Sequence, residues 1–225
     1  LNCETVYVFP RSPRVWLKRK INRVEVEKFR KRQKLLNIYP LTLHAPYLSN
    51  LSSQNIKLYK RSLKVFLEDL EFAGILGADY LAFHPGSYSL GMNADQGCRC
   101  LVEALNSILT EVRNRVTLLI ENTAGGGRRI GWNFQELGKI VKGIWHRNRI
   151  GICFDTCHAY AAGYEISTEK GLEKTIADID EFIGLDKIKL IHTNDSKKAL
   201  GSKIDRHEHI GKGYIGLEGF RLILN

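Results

Sequence analysis

Residues 116 to 121 read V-T-L-L-I-E. Five β-branched or leucine side chains in a row, without alternation and too few for a helix, describe a strand covered on both faces, as in a parallel sheet packed between other layers. The run ends on a carboxylate, Glu121. The same arrangement recurs outward in both directions. Leu41 to Leu43 leads to His44, Tyr80 to Phe83 to His84, Ile150 to Phe154 to Asp155, and Ile188 to Ile191 to His192. The strand starts at 41, 80, 116, 150 and 188 lie 34 to 39 residues apart, the length of one strand and its crossover helix.

Helical patterns fill the gaps. Leu58, Leu63, Phe66, Leu67 and Leu70 mark a helix over Asn55 to Ala73. Further helices are expected over Ala94 to Arg113, Asn133 to Ile144 with a cap at Asn133, and Thr168 to Ile183. Val6 to Phe9 reads as an earlier strand, Arg23 to Asn37 as a helix, and Leu217 to Leu224 as the start of another. This α/β rhythm fits a doubly wound open sheet or a (β/α)8 TIM barrel. No G-x-G-x-x-G follows the first strand, which weakens the dinucleotide-binding version. Six strands in 225 residues match a barrel of eight strands and about 250 residues that is truncated at both ends, with six or seven of its strands present. No linker divides residues 1–225, which read as a single domain lacking the barrel's first and last strands.

Composition narrows the classes. Hydrophobic residues make up 44% of the chain, ordinary for a globular protein and too many for disorder. No apolar run approaches the roughly 18 residues of a membrane span. The net charge is +10, and residues 1–37 alone hold 11 Lys/Arg against three Glu. Such a basic segment suits a polyanion, nucleic acid first, although Lys18 to Lys34 also reads as a solvated amphipathic face. The five cysteines, Cys3, Cys98, Cys100, Cys153 and Cys157, are odd in number and contain no C-x-x-C pair, so a reducing, intracellular setting is expected, cytoplasmic or nuclear. The chain opens on Leu1, and a targeting segment is not visible.

Five consecutive strands each end in a possible metal ligand. In a parallel barrel these ends open on one face, where active sites sit. A single histidine there would more often be structural, but five in succession converge from five strands. His158 follows Asp155 by three residues in D-T-C-H, and Asp205 and His207 form a second close pair. Imidazole with carboxylate suits zinc or manganese. Cys153 and Cys157 read as small packed residues, His209 as a weaker ligand candidate and His146 as a surface residue. So many donors exceed one catalytic zinc, which takes three protein ligands and water, and imply two or three metals. Clustered metals suit phosphoryl displacement, because they supply hydroxide and stabilise both attacking and leaving oxygens.

The motifs H-A-P-Y (44–47), F-H-P-G-S (83–87), I-E-N-T-A-G (120–125), D-T-C-H-A-Y-A-A-G-Y (155–164), H-T-N-D-S-K (192–197) and D-R-H-E-H-I-G-K-G-Y-I-G (205–216) span nearly the whole chain. In order and spacing they resemble the endonuclease IV family of apurinic/apyrimidinic (AP) endonucleases. The resemblance implies a TIM barrel with three zinc ions, manganese being possible with the same ligands. His44 and His84 would hold one ion. Glu121 would bridge it to a second, held also by Asp155 and His192, and these three are the expected catalytic centre. His158, Asp205 and His207 would hold the third. A metal-activated hydroxide would cut duplex DNA 5′ to an abasic site, leaving a 3′-hydroxyl and a 5′-deoxyribose phosphate. Arg14, Tyr47 and Leu48 match positions that enter the duplex and help to expel the abasic sugar, a form of base flipping. The partner implied is duplex DNA with abasic sites, for a monomer that does not enter membranes.

Two departures stand out. The family begins with a strand carrying G-x-H, which nothing before Val6 supplies, and it ends its eighth strand on a Glu that F-R-L-I-L-N (220–225) does not reach. From these 225 residues alone, an open barrel of low stability and weak catalysis is expected. Two alternatives remain at this point: a metal-dependent sugar isomerase of the xylose-isomerase-like group, disfavoured by the His158, Asp205 and His207 set, and a damaged-DNA-binding fragment without turnover.

Overall fold

The structure, a computed structural model, describes residues 3–17 and 20–225. Leu1, Asn2, Lys18 and Arg19 lie outside the described residues, including the ends of the basic stretch noted above. Six parallel strands form one sheet in chain order: β1 (Val6–Val8), β2 (Leu41–His44), β3 (Tyr80–Phe83), β4 (Thr117–Glu121), β5 (Ile150–Asp155) and β6 (Ile188–His192). The connections carry α1 (Arg23–Leu35), α2 (Ile56–Leu76), α3 (Ala94–Glu111), α4 (Phe134–Gly143), α5 (Thr156–Ala162) and α6 (Glu169–Phe182). A small antiparallel pair, β7 (Asp195–Ser196) and β8 (His207–Glu208), and the helix α7 (Gly216–Leu224) follow. This is the (β/α)8 arrangement with six of its parallel strands present.

Most elements fall within one to three residues of their expected limits, and the caps explain the differences. Asn55, Asn133 and Thr168 stand just outside their helices, where each side-chain oxygen accepts an N–H of the first turn: Leu58 at 3.1 Å, Glu136 at 2.8 Å and Gly171 at 3.3 Å. Two elements escaped the sequence reading, α5 and the β7–β8 pair. Both are too short to show a period of their own.

Strand alternation divides the side chains into two cores. Leu41, Leu43, Leu81, Phe83, Leu118, Ile120, Ile152 and Phe154 face the helices and pack with Phe66, Leu70, Leu101, Leu105, Leu137 and Ile140. The opposite face carries Ala82, Leu119 and Cys153, packed with Tyr80 and Leu190. Two residues beyond these, on the same face, come His84, Glu121, Asp155 and His192. One correction concerns the edges. The reading of every strand as doubly covered holds for β2 to β5, whereas β1 and β6 border the sheet and their residues are half-buried or exposed.

The helices seat closely where glycine permits it. At Gly138 of α4 a Cβ would lie 2.2 Å from the Phe182 carbonyl oxygen at the end of α6. The pair could not approach so closely with any larger residue.

Candidate metal centre

Parallel register sets the site's floor. Glu121 pairs with Cys153, and Asp155 with His192. Asp155 is also the N-cap of α5: its Oδ1 accepts the His158 N–H at 2.8 Å. This is why D-T-C-H works as a unit, since a cap residue and the third helical position lie side by side. From further along the chain, β8 pairs His207 with Ser196 and turns the Asp205–His207 segment back over the strand ends.

All eight expected ligands meet in one place. The Glu121 carboxylate lies at its centre, with Oε2 2.8 Å from His44 Nε2 and 3.4 Å from His84 Nε2, and Oε1 3.2 Å from His192 Nδ1 and 3.5 Å from His158 Nδ1. Asp205 reaches His158 Nε2 at 3.3 Å with one oxygen and His207 Nε2 at 3.3 Å with the other. Asp155 Oδ2 is 3.8 Å from His207 Nε2 and 4.0 Å from His192 Nδ1. It thus stands between the second and third expected groups. The site opens into a cavity of about 760 Å³.

Two hydrogen bonds fix the tautomers of the two most buried imidazoles. His44 Nδ1 lies 2.6 Å from the Ala45 carbonyl and His158 Nδ1 2.9 Å from the Asn122 carbonyl. A carbonyl only accepts, so both Nδ1 atoms carry the hydrogen. In the neutral rings each Nε2 is then a lone pair, aimed at a carboxylate oxygen of Glu121 or Asp205. Acceptor facing acceptor at 2.8 to 3.3 Å requires a positive charge between them, a proton or a metal. Four of the six separations around Glu121 and Asp205, at 3.2 to 3.4 Å, lie near the roughly 3.3 Å spacing of two ligand atoms on one tetrahedral ion with bonds of about 2.0–2.1 Å. His192 Nε2 is buried and has no hydrogen-bond partner among the described residues. The donor set therefore fits divalent ions of the zinc and manganese kind.

The protonation states separate the two rings, His44 being neutral and His158 carrying a second proton in the absence of metal. For His44, burial dominates and holds the ring below its ordinary pKa, against the pull of Glu121. Burial works against the Glu121 charge, but His84, His192 and His44 together hold its carboxyl well below the usual range. His158 is raised to about 9, burial being overcome by Asp155, Asp205 and Glu121. Asp205, hydrogen-bonded to His158, falls to about 2. Burial lifts the Cys153 thiol well above its ordinary value and the Cys157 thiol to about 12, so both are protonated packing groups in the absence of metal.

Sequence reasoning missed the groups that steady the ligands. Asn122 accepts the Asp155 N–H at 2.6 Å and donates to the Asp155 carbonyl at 3.1 Å, tying β4 to β5. Asn194 Nδ2 donates to Asp155 Oδ2 at 2.7 Å. Their only signal was adjacency to Glu121 and His192. Tyr7 of β1 was also missed, its ring edge-on to His192 at 5.2 Å between centroids. Tyr47 is 55% exposed and stands over the site, 5.7 Å from His44 and 5.5 Å from His84 between ring centroids. Its hydroxyl is raised by burial and by Glu121, while the charge of exposed Arg14 works the other way. Leu48 is half-buried beside Tyr47 and does not line the cavity. His209 is exposed, and His146 lies away from the site, 3.5 Å from Thr110 Oγ1.

Fold and site together define a TIM barrel with a cluster of candidate metal ligands on its strand-end face. The family description that matches residues 1–225 is the xylose isomerase-like TIM barrel. A probable endonuclease 4 of Halothermothrix orenii is 40% identical over 225 residues, which is all of this chain and 81% of that protein. The crystal structure of endonuclease IV from Thermus thermophilus superposes with a TM-score of 0.85 at 37% identity, over 99% of this chain and 78% of that one. A D-tagatose 3-epimerase-like protein, 18% identical with a TM-score of 0.72, shares the fold alone. The chain belongs to the endonuclease IV family of AP endonucleases, nucleases of DNA repair.

Proposed function

We propose that this chain cuts the backbone of duplex DNA on the 5′ side of an abasic site, using zinc ions held by His44, His84, Glu121, Asp155, His158, His192, Asp205 and His207. The supporting observation is the convergence of these eight imidazoles and carboxylates from separate strands and loops on one cavity. Divalent ions held there would supply hydroxide at neutral pH and offset charge on the departing 3′-oxygen. The protein's own residues do the rest. Glu121 touches four imidazoles and fixes their mutual positions. Asn122 holds the Asp155 backbone and Asn194 its carboxylate. Tyr47, with Arg14 beside it, stands at the mouth where an extruded sugar would enter, and Leu48 backs it. An abasic nucleotide has no base to unstack, so its expulsion costs least of any nucleotide. The protein acts as a monomer in whichever compartment holds its DNA.

The test is direct. Zinc-loaded protein is incubated with a duplex carrying one abasic site, and product ends are mapped. Incision on the 5′ side with a 3′-hydroxyl is expected, abolished by a chelator and reduced by at least about a thousandfold in His84→Ala, with loss of one bound zinc. Retention of the damaged duplex without any cut would replace the nuclease by a binding module.

A further inference from the structure

Helix α2 carries its charges in an order that helix stability does not favour. Lys57, Lys60, Arg61 and Lys64 occupy its first half, and Glu68, Asp69 and Glu71 its second. The first turn has no acid and the last turn no base. A helix dipole prefers the reverse. The spacing i, i+3, i+4, i+7 puts the four cations in one stripe, where Lys57 repels Arg61 and Lys60 repels Lys64. All four are exposed, and none takes part in an ion pair among the described residues. By contrast, α1 has Glu25 in its first turn and Arg32 and Lys34 in its last, the order its own dipole selects. The bases in the last turn of α1 are placed as its dipole favours. Those of α2 are not.

The position of the stripe supplies the reason. β2 ends on His44 in the metal centre, the loop after it lines the cavity with Tyr47, Ser49 and Asn50, and Asn55 then caps α2. The cationic half of α2 is therefore the half nearest the rim, and the acidic half points away. Arg61 lies over the Trp16 ring at 4.4 Å, which joins the stripe to the loop bearing Arg14. Along the axis the stripe spans about 10 Å, at 1.5 Å per residue.

We infer that Lys57, Lys60 and Lys64 form a second contact with duplex DNA, made with phosphates that flank the lesion and not with the lesion itself. The inference rests on the endonuclease reading and extends it to the sequence-independent part of binding, where cations on phosphates set affinity and salt dependence.

The experiment uses the full chain and the triple variant Lys57→Ala, Lys60→Ala, Lys64→Ala. Removal of like charges from exposed positions leaves the thermal midpoint unchanged or raised, which confirms folding. Affinity for undamaged duplexes of about 10 and about 30 base pairs is measured against salt. On the long duplex the variant should bind at least about tenfold more weakly, and the slope of log affinity against log salt should fall by about 0.9 per lost contact. On the short duplex it should match the parent, as should its single-turnover incision of a short abasic substrate. Unchanged affinity and slope on the long duplex would overturn the inference. So would equal losses on both lengths, which would place the lysines within the contact that about ten base pairs already make, or a loss seen with RNA but not with duplex DNA. Binding is read on undamaged DNA, so a parent that fails to incise sinks the endonuclease reading alone.

Discussion

His158 sits where three carboxylates compete for one buried imidazole. Asp155 and Glu121 face its Nδ1 at 3.8 and 3.5 Å, and Asp205 its Nε2 at 3.3 Å. With its pKa raised to about 9, the metal-free ring is protonated at neutral pH. That charge stabilises the metal-free fold fully below the ordinary histidine value of about 6.5, and the contribution is lost as pH rises through about 9. Asp205 acts in the opposite direction, its contribution being present above about 3.8 and lost as pH falls through about 2. A metal taking the Nε2 lone pair must expel the proton first. Apparent affinity at the His158 site should therefore rise about tenfold per pH unit from roughly pH 7 to 9 and then flatten. Chelator competition across that range measures it. A flat profile between pH 7 and 9 would show that the ring is already neutral.

The β7–β8 pair and the loop after it are held by one side chain. Asp195 is fully buried, and its carboxylate accepts N–H groups from Ser196 at 2.8 Å, Gly211 at 3.0 Å, Gly213 at 2.9 Å and Ile215 at 3.0 Å. Gly213 is required beside it, because a Cβ there would lie 2.5 Å from Asp195 Oδ1. The register Ser196 with His207 passes this order to the third ligand group. In Asp195→Ala several buried amides lose their acceptor, at about 1–3 kcal/mol for each donor left dry. A loss of about 2–4 kcal/mol in urea unfolding is expected, together with reduced metal binding by Asp205 and His207 and faster proteolysis within residues 205–216. Unfolding and metal content that both match the parent would show that the loop holds without this carboxylate.

At the scale of the whole molecule, the sheet and its helices hold the site without forming part of it. Leu118 is fully buried against the helices, on the face of β4 opposite Glu121. Leu118→Ala should cost about 2–5 kcal/mol through the lost contacts and the cavity left behind. Metal content and incision per folded molecule should stay near the parent's. A specific loss of activity at unchanged stability would mean that the packing face reaches the chemistry. The fold was legible because buried strands carry their own signal: V-T-L-L-I and I-G-I-C-F show their burial without reference to anything else. The exposure of β6 was only partly legible: Lys189 interrupts its apolar run, but the sheet order is what makes the strand an edge.

Which residues reach the rim was already set along the chain, because a strand's alternation and length are local properties that fix the face on which His44, His84, Glu121, Asp155 and His192 emerge. So was the pairing of Asp155 with His158, since a cap and its third residue lie within one turn. Folding in three dimensions was needed to set which carboxylate faces which ring, to let Asn122 and Ala45 fix the tautomers, and to bring Asp205 and His207 back over the site. Those facts depend on how separate segments meet in space, and local periodicity carries no information about partners so far apart in the chain.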